Sequence, residues 1–382
     1  MASYDERPRH RQKRHEQEED FTGGAIHALS THVGTTGDAA IDARVRKLVA
    51  DHGTRVDPLL IQELIVTALG LGKDDIGTGE LKLMNRSLKE MRSANRVFRP
   101  YSDRQKVTVY GSARTIPSAG SYVAAREFSR KMQEADWMTI TGAGSGIMGA
   151  ANEGAGRDSS FGLNIILPFE QGANPTIEGD EKLVTFNYFF TRKLAFVKEA
   201  QAFALFPGGF GTMDEGFELL TLIQTGKVAI MPIVLVDEPD GTYWKTWKHF
   251  VDVQLLAQGL ISLEDFSLFK ITDDIDEAVD EILQFYRVFH SYRFVGERMV
   301  VRLTRKLTAG AVERLNAEFE DILKKGVFRQ GPALKAEANE PEIADLPRLI
   351  CTPFRRNYGR LRQFIDAINA SESEPEDGEG EA

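Results

Sequence analysis

The stretch AFALFPGGFGTMDEGFELL, residues 202–220, contains the strand, turn and helix on which the fold prediction rests. Residues 202–206 form a short apolar run typical of a buried strand, and Gly208, Gly209 and Gly211 follow it. The apolar residues after Thr212 then have helical spacing. A strand that turns into a helix in this way predicts either a tight connection or a loop that holds an anion.

The same alternation of strand and helix extends in both directions along the chain. Short β-rich runs begin at Lys106, Trp137, Gly162, Leu183 and Ile230, and helical patterns separate most of them. Alternation at this spacing predicts a parallel sheet covered by helices on both faces. The expected fold class is therefore α/β, with a Rossmann-like doubly wound parallel sheet over residues 104–290.

The flanking regions have different patterns. Residues 1–37 and 371–382 begin and end the chain with charged, apolar-poor tails that we expect to be disordered. Residues 38–103 have helical apolar spacing and predict a helical N-terminal segment. Residues 291–370 predict a small C-terminal α/β appendage, with a strand at 298–303, a helix at 309–324 and a final strand and helix.

The composition excludes several classes of protein. The chain has 382 residues, 42% of them hydrophobic, and a formal charge of −10 with a pI near 5.4. These values favour a globular protein with no nucleic-acid surface as its main function. The single cysteine, Cys351, excludes an intrachain disulfide, and no segment resembles a signal peptide or a membrane helix. We therefore expect a soluble, cytoplasmic protein without a membrane partner.

Three predicted strand-to-helix loops are rich in glycine. They contain Gly111-Ser112, the stretch from Gly142 to Gly149, and the stretch from Gly208 to Thr212. Glycine lets the backbone approach a ligand, and a helix N-terminus offers free N–H groups to a phosphate. One such loop is more often a simple turn, but three at the same edge of one sheet favour a nucleotide pocket.

Two alternatives compete with this interpretation. Gly144-Ser-Gly146-Ile-Met-Gly149 also fits the dinucleotide pattern G-x-G-x-x-G, with Glu170 near the offset of a ribose-binding acid. That pattern permits an NAD-dependent enzyme, although it follows the second strand of the unit. Separately, Thr212 and Glu215 have the spacing of a capping box, which would give both residues a purely structural role.

Arg192 and Lys193 form the second notable group. Two adjacent cations near the start of a helix oppose the helix dipole, so a bound anion would offset their cost. The alternative is a solvated turn or ion pairs with nearby acids.

The pair Arg192-Lys193, followed by Pro207-Gly-Gly-Phe-Gly-Thr-Met-Asp-Glu215, resembles the double signature of the Lonely Guy (LOG) family, once labelled lysine decarboxylases. The resemblance covers residues 106–289. The central loop, TGAGSGIMGAANEGA (141–155), with LPFEQGAN (167–174) and LTLIQTGK (220–227), is similar to the longer bacterial branch rather than to the plant type.

The resemblance implies a nucleotide phosphoribohydrolase that acts on AMP or another nucleoside 5′-monophosphate, without a metal or organic cofactor. It implies that Arg192 and Glu215 are catalytic and that Lys193 assists with charge. It further implies a homodimer or higher homo-oligomer. The implied substrate-binding residues, besides Lys193, are Gly111, Ser112, Gly142, Gly144, Gly146, Met148, Gly208, Gly209, Gly211 and Thr212.

A nucleotide-binding sensor or carrier on the same fold is the alternative from a different class, because a fold does not determine function. The presence of both Arg192 and Glu215 favours the enzyme. The identity of the base and the group that protonates it stay open at the level of sequence.

Overall fold

The computed structural model describes residues 34–54, 57–167 and 172–374. Most of the two predicted tails, and Glu170, lie outside these residues. The chain divides into two compact units, with the division between Arg92 and Ser93.

The N-terminal unit is helical, as the apolar spacing predicts. Its helices are α1 (Ala39–His52), α2 (Pro58–Leu71) and α3 (Thr78–Phe98), the last of which continues into the second unit. Asp38 and Asp57 cap the first two helices by accepting hydrogen bonds from backbone N–H groups. Across the described part of the chain, no helix combines the length and the apolar character needed to cross a membrane.

The second unit contains a seven-stranded parallel sheet, which confirms the predicted fold class. The strand order is β4-β3-β2-β1-β5-β6-β7, and all neighbouring strands run parallel. The strands are β1 (Lys106–Tyr110), β2 (Met138–Thr141), β3 (Ser160–Ile165), β4 (Leu183–Phe186), β5 (Ala202–Leu205), β6 (Ile233–Val236) and β7 (Lys270–Thr272). The helices among them are α4 (Gly120–Glu134), α5 (Ile147–Ala155), α6 (Phe189–Glu199), α7 (Phe210–Gln224), α8 (Tyr243–Phe250) and α9 (Ile275–Phe285).

Helices cover both faces of this sheet. Val107 and Val109 of β1 pack with α4, α5 and α9 on one face. Tyr110, one residue further along β1, belongs to the opposite face with Phe196 of α6 and Leu219 of α7. Because successive side chains of a strand alternate between faces, the apolar run of β1 supplies both cores.

The order of the strands reverses between β1 and β5. From β1 the chain adds β2, β3 and β4 on one side, and it then returns to add β5, β6 and β7 on the other. The loops that follow β1 and β5 therefore begin side by side and lead away in opposite directions. Open α/β sheets bind ligands in the crevice at such a switch point.

The C-terminal appendage is a four-stranded antiparallel sheet with two helices. Its elements are β8 (Phe289–Val295), β9 (Arg298–Leu303), α10 (Ala309–Glu318), β10 (Leu323–Gly331), β11 (Arg348–Pro353) and α11 (Tyr358–Ala370), with strand order β10-β11-β9-β8. The helix predicted over 309–324 was too long, because the chain leaves α10 at Glu318 and its residues from Leu323 pair with β11. The appendage shares one apolar core with the parallel sheet, so the two form one body.

Candidate functional site

The three glycine loops meet at the peptide groups of Ser112. The Ser112 N–H donates to the carbonyl of Pro207 at 3.1 Å, and the Ser112 carbonyl accepts from the N–H of Ile147 at 3.0 Å. Gly146 has a φ of +63°, and a Cβ there would lie 2.3 Å from the Ser112 carbonyl oxygen. Only glycine fits this position without displacing the neighbouring loop. The structure thus brings Gly111-Ser112, the central loop and the Pro207 loop to one place.

Two helices begin at this junction without side-chain caps. α5 follows Gly146 and α7 follows Gly209, and neither preceding residue makes a capping side-chain hydrogen bond. The first N–H groups of a helix have no partner within the helix, and they carry a partial positive charge. Two such ends beside one another form a site suited to a phosphate group.

The capping box predicted from Thr212 and Glu215 was wrong. α7 begins at Phe210, after Gly209, so Thr212 is the third residue of the helix and Glu215 the sixth. Glu215 is therefore too far along α7 to bond the backbone N–H of the N-cap residue, as a capping box requires. The Pro-Gly-Gly sequence supplies the turn by itself, and Phe210 can occupy the first helical position while 97% exposed. The structural role proposed for Glu215 is thereby removed.

Glu215 is partly buried and lies among charged groups of both signs. Burial, above all, raises the pKa of its carboxyl group to about 7. Lys193 and Arg192 act in the opposite direction, and the neighbouring carboxylates of Glu218 and Asp214 raise the pKa further. A carboxyl group with a pKa near neutrality can exchange a proton at physiological pH, which suits acid–base chemistry.

Arg192 lies in the first part of α6, and its side chain contacts β3 and the loop that follows β2. Its Nε donates to the carbonyl of Leu163 in β3 at 2.7 Å, and its Nη2 lies 3.4 Å from the carbonyl of Gly142. A side chain at position 142 would overlap this guanidinium group, since a Cβ there would lie 2.4 Å from Nη2. Its Cζ lies 5.2 Å from the centre of the Phe196 ring. The guanidinium is thus held beside the central loop.

Lys193 points to α7 rather than to the glycine loops. Its Nζ lies 2.8 Å from Asp214 and 3.0 Å from Glu218, and the side chain is only 14% exposed. These two carboxylates flank Glu215 on the same helix. Lys193 therefore ties α6 to α7 and places a positive charge near Glu215.

Met148 and the remaining loop residues complete the junction. The methionine side chain packs over Gly142 and Gly144, with its Sδ and Cε nearest to their backbone. Thr212 is buried at the start of α7, whereas Gly209 and Gly211 are exposed.

Three residues of the site were missed by sequence analysis. Tyr110 is the last residue of β1, and burial, together with the nearby charge of Glu215, holds the pKa of its phenol well above the usual value. Tyr243 of α8 donates from its hydroxyl group to the carbonyl of Gly208 at 2.5 Å. The position of Tyr110 directly before Gly111 was a usable signal, but nothing in the local sequence indicated Tyr243.

Asn174, the third missed residue, holds the central loop in place. Its Nδ2 donates to the carbonyls of Ala143 and Gly144 at 3.0 and 3.1 Å, and to Oδ1 of Asn152 at 2.9 Å. Ala143 has a φ of +65°, a conformation that costs energy for a residue with a side chain. The bonds from Asn174 offset this cost and fix the loop beside Arg192.

The G-x-G-x-x-G sequence begins in the same loop and ends in the helix that follows it. Gly144 and Gly146 follow β2, and Gly149 lies within α5. Glu170, the acid expected to bind a ribose in the NAD interpretation, is outside the described residues.

Residues 148–282 match the family model described as possible lysine decarboxylase. No curated protein matches the chain.

Several solved structures resemble it at low identity. The molybdenum cofactor carrier protein of Chlamydomonas reinhardtii is 18% identical, with 47% of this chain and 97% of that chain covered and a TM-score of 0.35. The molybdenum cofactor binding protein of Rippkaea orientalis is 15% identical, with 46% and 94% covered and a TM-score of 0.34. The structural-genomics protein TM1055 is 22% identical, with 47% and 99% covered and a TM-score of 0.35. These likenesses are too distant to carry a functional argument.

The family-model match and the two sequence motifs lie in the same domain of the chain. The matched residues 148–282 include Arg192-Lys193 and the whole loop from Pro207 to Glu215. Together, the match and the two motifs support the resemblance of the α/β domain of this chain to the Lonely Guy family, formerly labelled lysine decarboxylases.

Proposed function

We propose that this protein hydrolyses the N-glycosidic bond of nucleoside 5′-monophosphates, with AMP as the preferred substrate, to give the free base and ribose 5-phosphate. The observation that carries the proposal is the position of Glu215. Its carboxyl group, with a pKa raised to about 7, lies close to Arg192 and on the helix whose N-terminus adjoins the other glycine loops. The choice of AMP rests on the resemblance to the family.

The phosphate would bind where α5 and α7 begin. The uncapped N–H groups of both helices supply hydrogen-bond donors and a partial positive charge. Glu215 is six residues into α7, so a sugar attached to that phosphate would extend along the helix toward the carboxylate. Binding energy from the phosphate would thus position the sugar for reaction.

The reaction breaks the C1′–N bond, and the electron pair of that bond leaves with the base. Positive charge develops on the sugar ring as the bond breaks, and an ionised Glu215 would stabilise it and accept a proton from the attacking water. The water oxygen becomes the new C1′ hydroxyl group and keeps one hydrogen, while the other hydrogen passes as a proton to Glu215. The departing base takes up one proton from solvent, and Glu215 releases its proton to solvent, which restores the carboxylate. Arg192, held by backbone carbonyls, would contact the phosphate or a ribose oxygen.

A panel of nucleoside monophosphates tests the proposal. AMP, GMP, CMP and UMP are incubated with the full chain, and free base and ribose 5-phosphate are measured by chromatography. We expect equal amounts of both products, with AMP consumed fastest. Tight binding in calorimetry without release of base from any nucleotide would instead support the sensor or carrier alternative.

The expected homodimer is a separate proposal that rests on the resemblance alone. Light scattering after size-exclusion chromatography would give twice the 42.6 kDa of one chain. A mass of one chain at micromolar concentration would contradict it.

A further inference from the structure

We propose that Thr141 and Asn152 are positioning residues for Arg192. Their buried hydrogen bonds fix the peptide group that follows Gly142, and the carbonyl of that peptide holds the guanidinium. The inference rests on the proposed function for its consequence in catalysis, whereas the hydrogen bonds themselves are independent of any reaction.

The peptide group between Gly142 and Ala143 is bonded at both of its ends. The N–H of Ala143 donates to Oγ1 of Thr141 at 3.0 Å, and the carbonyl of Gly142 accepts from Nη2 of Arg192 at 3.4 Å. The N–H and the C=O of a planar trans peptide point in opposite directions, so the direction of one sets the direction of the other. The hydroxyl group of Thr141 therefore determines where this carbonyl can meet Arg192.

The Thr141 hydroxyl group can make its two bonds in only one way. Its oxygen accepts from the N–H of Ala143, so its hydrogen is donated to Oδ1 of Asn152, 2.7 Å away. The side chains of Thr141 and Asn152 are fully buried, so water does not compete for these bonds. The acceptor on Asn152 thus fixes the hydroxyl group, and the hydroxyl group fixes the peptide.

The amide of Asn152 is held in an orientation that leaves a buried donor unpaired. Its Oδ1 accepts from the Thr141 hydroxyl group and from Nδ2 of Asn174, while its Nδ2 has no hydrogen-bond partner among the described residues. A buried donor without a partner costs free energy. The opposite orientation would place the NH₂ groups of Asn152 and Asn174 against each other. The observed orientation therefore depends on the two bonds that Oδ1 accepts.

Asn174 extends these bonds to the other carbonyls of the loop. Its backbone N–H and its Nδ2 donate to the carbonyl of Ala143 at 2.8 and 3.0 Å, and its Nδ2 also donates to the carbonyl of Gly144 at 3.1 Å. Of the three carbonyls that follow one another from Gly142, Asn174 thus engages the second and third. The first accepts from Arg192.

The test compares Thr141→Val with Thr139→Val in the full chain. Both changes remove a buried threonine hydroxyl group from β2, but that of Thr139 has no hydrogen-bond partner among the described residues. Thr139→Val is therefore the matched control for the loss of a hydroxyl group without the loss of a bond. Thr141→Ser keeps the hydroxyl group and should behave like the wild type.

The first measurement follows the guanidinium of Arg192 directly. The protein is labelled with ¹³C,¹⁵N-arginine, and rotation about the Nε–Cζ bond of Arg192 is measured by exchange between its two Nη signals, which are assigned by their loss in Arg192→Lys. We expect rotation to be about tenfold faster in Thr141→Val, the scale of losing one hydrogen bond. The rate should be unchanged in Thr139→Val and Thr141→Ser. An unchanged rate in folded Thr141→Val overturns the inference.

The second measurement is a double-mutant cycle on kcat/KM for AMP. Thr141→Val should lower kcat/KM by about tenfold in the wild-type chain and have little further effect in Arg192→Lys, because its effect is transmitted through Arg192. An equal loss in both chains would show that Thr141 acts independently of Arg192 and would overturn the inference. A wild-type protein that hydrolyses no nucleotide would contradict the proposed function, and the rotation measurement would still decide whether Thr141 positions the guanidinium.

Asn152→Ala tests the same bonds from α5 if Thr141→Val does not fold. Alanine suits a helix, and the change removes the acceptor of the Thr141 hydroxyl group. Rotation of the Arg192 guanidinium should again be faster than in the wild type. Wild-type rotation in folded Asn152→Ala would equally overturn the inference.

Discussion

Lys193 on α6 and Asp214 on α7 form an ion pair, with Nζ 2.8 Å from the carboxylate oxygen. The same ammonium group lies 3.0 Å from Glu218 and is the largest of the influences that lower the pKa of Glu215. Lys193 therefore holds two helices together and also favours the ionised form of the carboxylate that we propose to be catalytic.

Replacement of Lys193 by methionine should move the acid limb of the kcat profile to higher pH. Methionine keeps much of the length of the side chain but removes the charge that lowers the pKa of Glu215. The free energy of unfolding should fall by about 1 kcal/mol or less, since the carboxylates are partly exposed. Lys193→Arg is the matched control and should keep the wild-type profile. Superimposable pH profiles for wild type and Lys193→Met would contradict this role.

Arg192→Lys should lower kcat/KM for AMP by about 100-fold or more, the scale of losing one positioned electrostatic group. A planar guanidinium can donate to the Leu163 and Gly142 carbonyls and still present N–H groups to a substrate, and an ammonium cannot reproduce that fork. Lys193→Arg, which also exchanges one cation for another, should retain substantial activity. Similar kcat/KM values for the two variants would remove Arg192 from the site.

Adenosine should be hydrolysed far more slowly than AMP. The two uncapped helix starts at Gly146 and Gly209 are suited to an anion that adenosine lacks. Without that anchor, the sugar is no longer positioned at Glu215. Comparable kcat/KM values for the two substrates would mean that the glycine loops do not bind phosphate.

Because its pKa is raised, Glu215 should also lower the free energy of unfolding at alkaline pH. The carboxyl group titrates near 4.5 when exposed in the unfolded chain and near 7 in the folded protein. Between pH 4.5 and 7 the folded protein binds more protons at this group than the unfolded chain does. The free energy of unfolding therefore increases as the pH falls from 8 toward 4.5, and it decreases as the pH rises again. The cost above pH 8 is at most about 3 kcal/mol.

Glu215→Gln should therefore have a higher Tm than wild type at pH 8, and the difference should shrink as the pH approaches 4.5. Differential scanning calorimetry at several pH values measures this directly. Asp214→Asn, which changes a more exposed carboxylate on the same helix turn, should show no such gain. A Tm difference that is independent of pH would indicate a packing effect rather than the burial of a charge.

Six of the seven strands of the central sheet could be predicted from the sequence, because each is a short β-rich run followed by a glycine turn or a helical pattern. The edge strand β7 was missed, because its three residues, Lys270–Thr272, form no apolar run. The start of α7 could not be predicted, since Thr212 and Glu215 match a capping box while the helix begins at Phe210. The strand β10 was missed for a different reason. Its residues include Lys324 and Lys325, and charged residues typical of an edge strand hide the apolar alternation.

The candidate site, like the fold, could be predicted from the sequence only in part. The glycine loops and the Arg192-Lys193 pair are visible as motifs, and the structure brings them to one edge of the sheet. The direction of Lys193 toward Asp214 depends on the packing of α6 against α7, which no local pattern encodes. The contacts of Tyr110 with Phe196 and of Asn174 with Ala143 likewise join segments that are distant in sequence.

The most direct test of the account is the turnover of AMP by Glu215→Gln, measured beside AMP binding in the same preparation. Glutamine keeps the size of the side chain but cannot be ionised, so kcat should fall by about 100-fold or more while the Kd for AMP changes little. Asp214→Asn, one residue away, should keep most of the activity. Near-normal release of adenine by folded Glu215→Gln would contradict the central claim that this carboxylate carries out the chemistry.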